Sequence, residues 1–449
     1  MEFMTQAPER AERHGRRHDR EIVALALPAF GSLVAEPLFV LFDSAVVGHL
    51  GTPQLAGLGI AAALLTTGVS VFVFLAYATT AAVARRVGAG DLPAAIRQGM
   101  DGIWLALILG LGVIAVVLPA APGLVGLFGA SGSAAPHAVT YLRISALGIP
   151  AMLMVLAATG VLRGLQDTRT PLLVAVGGFT ANAVLNIGLV YGAGLGIAGS
   201  AWGTVIAQCA MAAVYLVVVV RGARAHGASL RPDAAGIRAC AQAGAPLLVR
   251  TLSLRAILLI ATSVAARLGD ADVAAHQILL SLWSLLAFAL DAIAIAGQAI
   301  IGRCLGAGDA AAARAVCRRM IQWGVATGVV LGLLVALSGP LLMPLFTSDP
   351  AVHEQLLPAL LVVALSQPVC GAVFVLDGVL MGAGDGRYLA WAMIVVLAVF
   401  APSALAVPYL DGGLTALWWV MALMMSLRLL TLWARSRSGR WIVTGAVRA

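Results

Sequence analysis

Twelve apolar stretches recur along this chain, each long enough to cross a bilayer as a helix. Lipid offers no partner to a backbone N–H or C=O, so a spanning segment must satisfy its own polar groups, and a single segment does so as a helix. The approximate limits are 22–47, 55–84, 99–120, 139–161, 171–192, 199–220, 244–266, 273–301, 322–346, 357–381, 389–408 and 413–433. Only 11% of the residues are charged, against about 25% in an average soluble domain. The expected fold class is an all-α polytopic membrane protein with twelve transmembrane helices. The second and eighth stretches are long enough to tilt or to extend past the bilayer. The first has no small-residue cleavage site and exceeds a signal-peptide core, so it reads as a retained span.

Charge placement orients these spans. All 28 basic residues are Arg, and 23 of them fall in alternate loops counted from the N-terminal segment. The opposite loops hold Arg267 alone. Positive charge stays on the cytoplasmic side, so both termini are expected there, in a multi-pass plasma-membrane protein. No basic stretch is interleaved with aromatics, so nucleic acid is not an expected partner. The five cysteines form no C-x-x-C and lie in or beside apolar spans, which suits packing.

The chain also repeats itself at a constant offset of 218 residues. Pro28 matches Pro246, Leu50-Gly51 matches Leu268-Gly269, and the GAGD of residues 88–91 matches that of 306–309. Pro150 matches Pro368, and Gly164, Asp167 and Arg169 match Gly382, Asp385 and Arg387. Such a match over half the chain implies duplication. Six spans per half keep the halves in the same orientation, as a parallel repeat of two pseudo-symmetric six-helix lobes. The expected domains are a disordered cytoplasmic tail over 1–21, an N-lobe over 22–220, a polar cytoplasmic linker over 221–243, a C-lobe over 244–433 and a C-terminal tail over 434–449. In the GAGD loops Gly suits a tight turn and Asp suits a helix cap.

Acids inside apolar spans stand out, because a charge at mid-membrane costs roughly 2.5–3.5 kcal/mol on insertion scales. The first span carries Glu36 and Asp43, two helical turns apart, with Pro37 between them as a hinge candidate. Asp43 falls opposite Ala261 in the repeat, so its acid is private to the first half. It is a candidate proton carrier, or an anionic site for a cation. Asn182 and Asn186, one turn apart, and Thr204 could hydrogen-bond to it or coordinate Na⁺ weakly. They could equally join helices. No firm metal site is evident. The second half has Asp291 and Asp377, opposite Val73 and Thr159, with Arg250 and Arg255 as natural partners for a buried pair or a second ion site. His276 lies near a helix start. The chain has no H-E-x-x-H, G-x-S-x-G, Walker A or C-x-x-C. An enzyme is therefore not expected, and energy would come from an ion gradient.

The segments FDSAVVGHLGTPQLAGLGIA, VARRVGAGD, LRGLQDTRTPLL, VAAHQI, AIAGQAIIGRCLGAGD and FVLDGVLMGAGD resemble those of the multidrug and toxic compound extrusion (MATE) transporters, most closely the DinF-type bacterial branch. The resemblance covers residues 22–440. It implies two six-helix lobes around a V-shaped central cavity, and export of small amphipathic or cationic organic compounds in exchange for H⁺ or Na⁺, without a cofactor. In that branch the acid on the first span is the coupling residue, which Asp43 matches, and the polar cluster beside it matches Asn182, Asn186 and Thr204. Some relatives carry a second Asp where Asn186 stands, and its loss favours H⁺ over Na⁺. The Asp377 region looks like a position used by other branches, whose seventh-span Glu is not evident here. The expected protein is a monomeric antiporter working by alternating access. A lipid-linked oligosaccharide flippase is the alternative that Arg250 and Arg255 keep open. An intramembrane transferase would need clustered acids for Mg²⁺ or a His–Asp pair, and the spans show isolated acids.

Overall fold

The helical expectation is met throughout. The computed structural model describes residues 6–127, 129, 132–346, 349–410 and 412–447, with side chains for all of these except 6–17, 36, 40 and 340–346. Among the described residues there are fourteen α-helices and no strand. In the first half these are α1 (Gln6–Gly48), α2 (Thr52–Ser70), α3 (Phe74–Gly88), α4 (Leu92–Leu127), α5 (Ala134–Ala146), α6 (Ile149–Gly164), α7 (Arg169–Ile187) and α8 (Gly196–Ala225). The second half has α9 (Ala234–Leu268), α10 (Asp270–Gly306), α11 (Ala310–Phe346), α12 (Pro350–Gly382), α13 (Gly386–Ala406) and α14 (Gly413–Ser438). A single 3₁₀ turn joins α2 to α3, so the two act as one span over Thr52–Gly88. Among the described residues eleven segments are long and apolar enough to cross a membrane, and α5 with α6, bent by 50°, makes a twelfth. The twelve expected spans fall on these twelve. The bend in the fourth has a local cause: Pro150, at the start of α6, has no N–H to continue the ladder of α5.

One expectation needs correction. The N-terminal tail is not disordered over its described part, since α1 is already helical from Gln6. Two of its acids are held by distant helices. Asp19 accepts both Nε and an Nη of Arg319 at 2.7 Å and the Trp323 indole N–H at 2.8 Å, and Glu21 pairs with Arg303. The linker over 221–243 is largely helical, because α8 runs to Ala225 and α9 begins at Ala234. It is strapped to α4 through both its non-helical part and the start of α9. Trp104 donates to the Leu230 carbonyl at 3.2 Å, Arg97 pairs with Asp233, and Gln98 donates to the Cys240 sulfur at 2.9 Å.

The chain divides into two compact units, Gly31–Gly244 and Met1–Phe30 with Ala245–Ala449. The division passes through α1 and through α9. Within the first unit α6 packs against α3, α4 and α8, while α2 packs on α5 and α7 on α8. Within the second, α12 is the central helix, touching α10, α11 and α14.

The duplication is visible in hydrogen bonds and packing. After α3 the N–H groups of Ala89, Gly90 and Asp91 bond to the carbonyls of Arg85, Val87 and Arg86. After α10 those of Ala307, Gly308 and Asp309 bond to Arg303, Leu305 and Cys304. Gly90 and Gly308 take φ 79° and 78°, which L side chains disfavour. Asp91 and Asp309 cap the next helix through the N–H groups of Ala94 and Ala312. The helix contacts repeat too. A Cβ on Gly160 would lie 2.5 Å from the Ala76 carbonyl oxygen, and one on Gly378 would lie 2.3 Å from that of Ala294. Small residues at these crossings let backbones approach closely, as membrane helices without a hydrophobic drive require.

Candidate functional site

Asp43 lies in the last turns of α1, just before the chain turns at Gly51. Opposite it, Asn182 and Asn186 share one face of α7, four residues apart. That helix ends in a single π-helical turn over Gly188–Gly192, and Tyr191 in this turn donates to the Val46 carbonyl of α1 at 2.5 Å. On α8 the matching face carries Ser200 and Thr204, with Gly203 between them. A Cβ at Gly203 would sit 2.4 Å from the Asn186 side-chain oxygen. The glycine therefore lets α7 and α8 close, which places the Asn186 amide in front of the acid.

Asp43 is buried, and its hydrogen-bond partners are all neutral. Its Oδ1 accepts the Asn186 amide and the Ser200 hydroxyl, both at 2.6 Å. Its Oδ2 accepts the Tyr141 hydroxyl of α5 at 3.1 Å. Asn182 donates to the Thr204 hydroxyl at 3.1 Å, which in turn donates to the Ser200 carbonyl at 3.1 Å. The Oδ1 atoms of Asn182 and Asn186 are buried without a hydrogen-bond partner. The cluster thus offers one carboxylate, two bare amide oxygens and three hydroxyls. Among the described residues no group of three or more His, Cys, Asp or Glu could hold a metal ion.

All four residues singled out as the main site, Asp43, Asn182, Asn186 and Thr204, are therefore brought together. Tyr141 and Ser200 were missed. Ser200 could have been found one turn before Thr204; nothing in the local sequence distinguishes Tyr141. The side chain of Glu36 lies outside the described residues. Helix α1 runs through Pro37 without interruption.

In the second unit Asp377 on α12 is buried and accepts Arg250 of α9 at 2.5 Å on one oxygen. Arg428 of α14 pairs with the same oxygen. Arg428 was not foreseen, although an Arg within the apolar run of the last span was a signal. The expected partnership of Arg255 with an acid is not realised: it is half-buried and has no ion pair or hydrogen bond among the described residues. Asp291 is half-buried on α10 and is engaged. His276 is fully buried, 3.5 Å from the Thr262 hydroxyl, with its ring 5.7 Å from that of Trp418. The five cysteines are free thiols.

The MatE family model matches the chain twice, over residues 28–187 and 246–405, and both limits differ by the same 218 residues. The chain belongs to the MatE family. Among curated relatives of this MatE chain, Protein DETOXIFICATION 44, chloroplastic, of Arabidopsis thaliana is 33% identical, covering 94% of this chain and 83% of the relative. DNA damage-inducible protein F of Escherichia coli is 30% identical and covers 94% of both. The bent form of the Vibrio cholerae MATE transporter VcmN superposes with a TM-score of 0.87 at 21% identity, covering 95% of this chain and 98% of that one. MatE proteins are membrane transporters and not enzymes, and they need no organic cofactor. This chain is therefore a polytopic membrane transporter, which removes the intramembrane transferase reading.

Proposed function

We propose that this MatE protein exports drugs and other toxic organic compounds by cation-coupled antiport, with H⁺ as the coupling ion and Asp43 as the coupling carboxylate. The observation that carries the reading is a buried acid whose partners are all neutral, inside a span, in only one half of the repeat. A proton arriving at Asp43 removes its charge. The hydroxyls of Tyr141 and Ser200 can turn from donor to acceptor, whereas the amide nitrogen of Asn186 can only donate. Protonation therefore weakens the bond between α1 and α7 and favours a rearranged α1, with Pro37 as the hinge, and release of cargo. The proton drives this shift only through its different affinity for the two states. The protein works in this reading as a monomer in the plasma membrane, with both termini cytoplasmic.

The bare oxygens of Asn182 and Asn186 support a second reading, in which Na⁺ sits between them and Asp43. Proteoliposomes loaded with a fluorescent organic cation, under separate H⁺ and Na⁺ gradients, separate the two. Movement driven by ΔpH alone in the wild type and absent in Asp43→Asn is the expected outcome. Movement driven only by Na⁺ supports the second reading. Undiminished uphill export by Asp43→Asn sinks both.

A further inference from the structure

Arg255 sits where an unpaired charge is hardest to keep. Along α9 it is the midpoint between Gln242 and Arg267, about 18–20 Å from either. Side chains near helix ends relieve such a charge by reaching the interface, but a guanidinium at the midpoint cannot. It has no acidic partner among the described residues. Its neighbour Arg250 is spoken for by Asp377, and Arg255 lies about 140° round the helix from it. On its own flank are the exposed Leu252 and Leu259, 46% and 67% accessible, one turn below and one turn above. The buried face of α9, with Ile257, Ala261 and Val264, points elsewhere. An Arg at this depth that faces outward from its helix, and is half open, needs water or an anion beside it.

The charge balance leaves one guanidinium uncompensated, and an anion would answer it. Arg250, Arg428 and Asp377 together carry one positive charge, Arg255 adds a second, and Asp291 on α10 removes one. The mid-membrane part of the second unit is therefore net positive. A guanidinium presents a planar fork of donors that fits a carboxylate, sulfonate or phosphate two bonds at a time. The geometry points to Arg255 as an anion-binding residue, taking an anionic group carried by the transported compound or by a lipid. This extends the proposed export function to amphipathic cargo bearing an acid, and rests on that reading only for the word cargo.

The test uses rhodamine B, which has a free carboxylate, and its ethyl ester, in which that group is masked. Binding to the full-length protein is read by fluorescence anisotropy in phosphatidylcholine nanodiscs, with no ion gradient. The wild type is expected to prefer the acid by about tenfold, the scale of one charge-assisted contact. Arg255→Gln should lose the preference while binding the ester unchanged. Arg255→Lys should retain part of it, because charge remains but the fork does not. Nanodiscs with added phosphatidylglycerol tell the sources apart. Loss of the wild-type preference there marks a competing lipid headgroup, and an unchanged preference marks the cargo; both agree with an anion site. Equal wild-type binding of the two dyes, or full preference in Arg255→Gln, overturns it. Asp43→Asn should keep the preference, so failure of proton coupling and failure of this site are read separately.

Discussion

Helices α1 and α9 are the same element of the repeat, yet they carry opposite charge into the membrane. At the offset of 218 residues, Asp43 falls opposite Ala261, and Pro37 falls opposite Arg255. The shell around Asp43 is lost along with the acid it serves, since Tyr141 and Asn186 fall opposite Ala359 and Ala404. Conversely, Asp377 and Arg250 fall opposite Thr159 and Ser32. The turns and helix crossings did not diverge in this way: the bonds after α3 and α10 and the contacts of Gly160 and Gly378 are the same. A helix crossing is a matter of backbone distance, and both halves need it. A mid-membrane charge must be answered by its neighbours, so when one half gains or loses it, the surrounding polar residues change as a group.

This contrast can be broken by experiment. The largest effect is expected at Asp43, where Asn should reduce ΔpH-driven transport in proteoliposomes to the level of protein-free vesicles. Ala261→Asp, at the equivalent place, should not rescue it, because no Tyr or Asn stands ready there. Next is Asp377→Asn, which leaves Arg250 and Arg428 buried without a counter-charge and should cost about 3–5 kcal/mol of stability, read as a lower Tm. An unchanged Tm would mean that the charges of the second unit are not held as the structure places them.

Smaller, and equal in the two halves, should be Gly160→Ala and Gly378→Ala. Each drives a Cβ against a carbonyl oxygen, an overpacking cost of about 1–3 kcal/mol. A clear difference between their Tm values would show that the crossings are not equivalent. The smallest effect is expected at Asp233, outside the spans, where hydrogen bonding from Arg97 holds the carboxyl below its ordinary range. With the folded value depressed, the pair stabilises above the ordinary carboxylate pKa of about 3.9 and its contribution fades as pH falls below that. Arg97→Gln should remove this acid-side loss from a plot of Tm against pH, and only slightly lower Tm at neutral pH.

Much of this protein was legible in its sequence because the bilayer leaves few choices. A long apolar segment must be a helix, a Gly-Ala-Gly-Asp between two such segments must turn and cap, and a repeat at one fixed offset predicts which turns will match. Asp43, Asn182, Asn186 and Thr204 were legible as polar groups where polarity is expensive. Other features depend on residues far apart in sequence. Tyr141 and Ser200 complete the shell of Asp43 only because α5 and α8 meet α1, across 98 and 157 positions. Arg428 shares Asp377 with Arg250, and Arg255 is left with no acid among the described residues, because α9, α12 and α14 converge. Asp19 and Glu21 lie in the polar part of α1 that reads as a tail, and Arg303, Arg319 and Trp323 meet them some 300 residues away. Local chemistry determined which segments are helices and which residues are costly in lipid. Only the tertiary structure decided which of those costly groups answer one another, because that depends on where the helices cross.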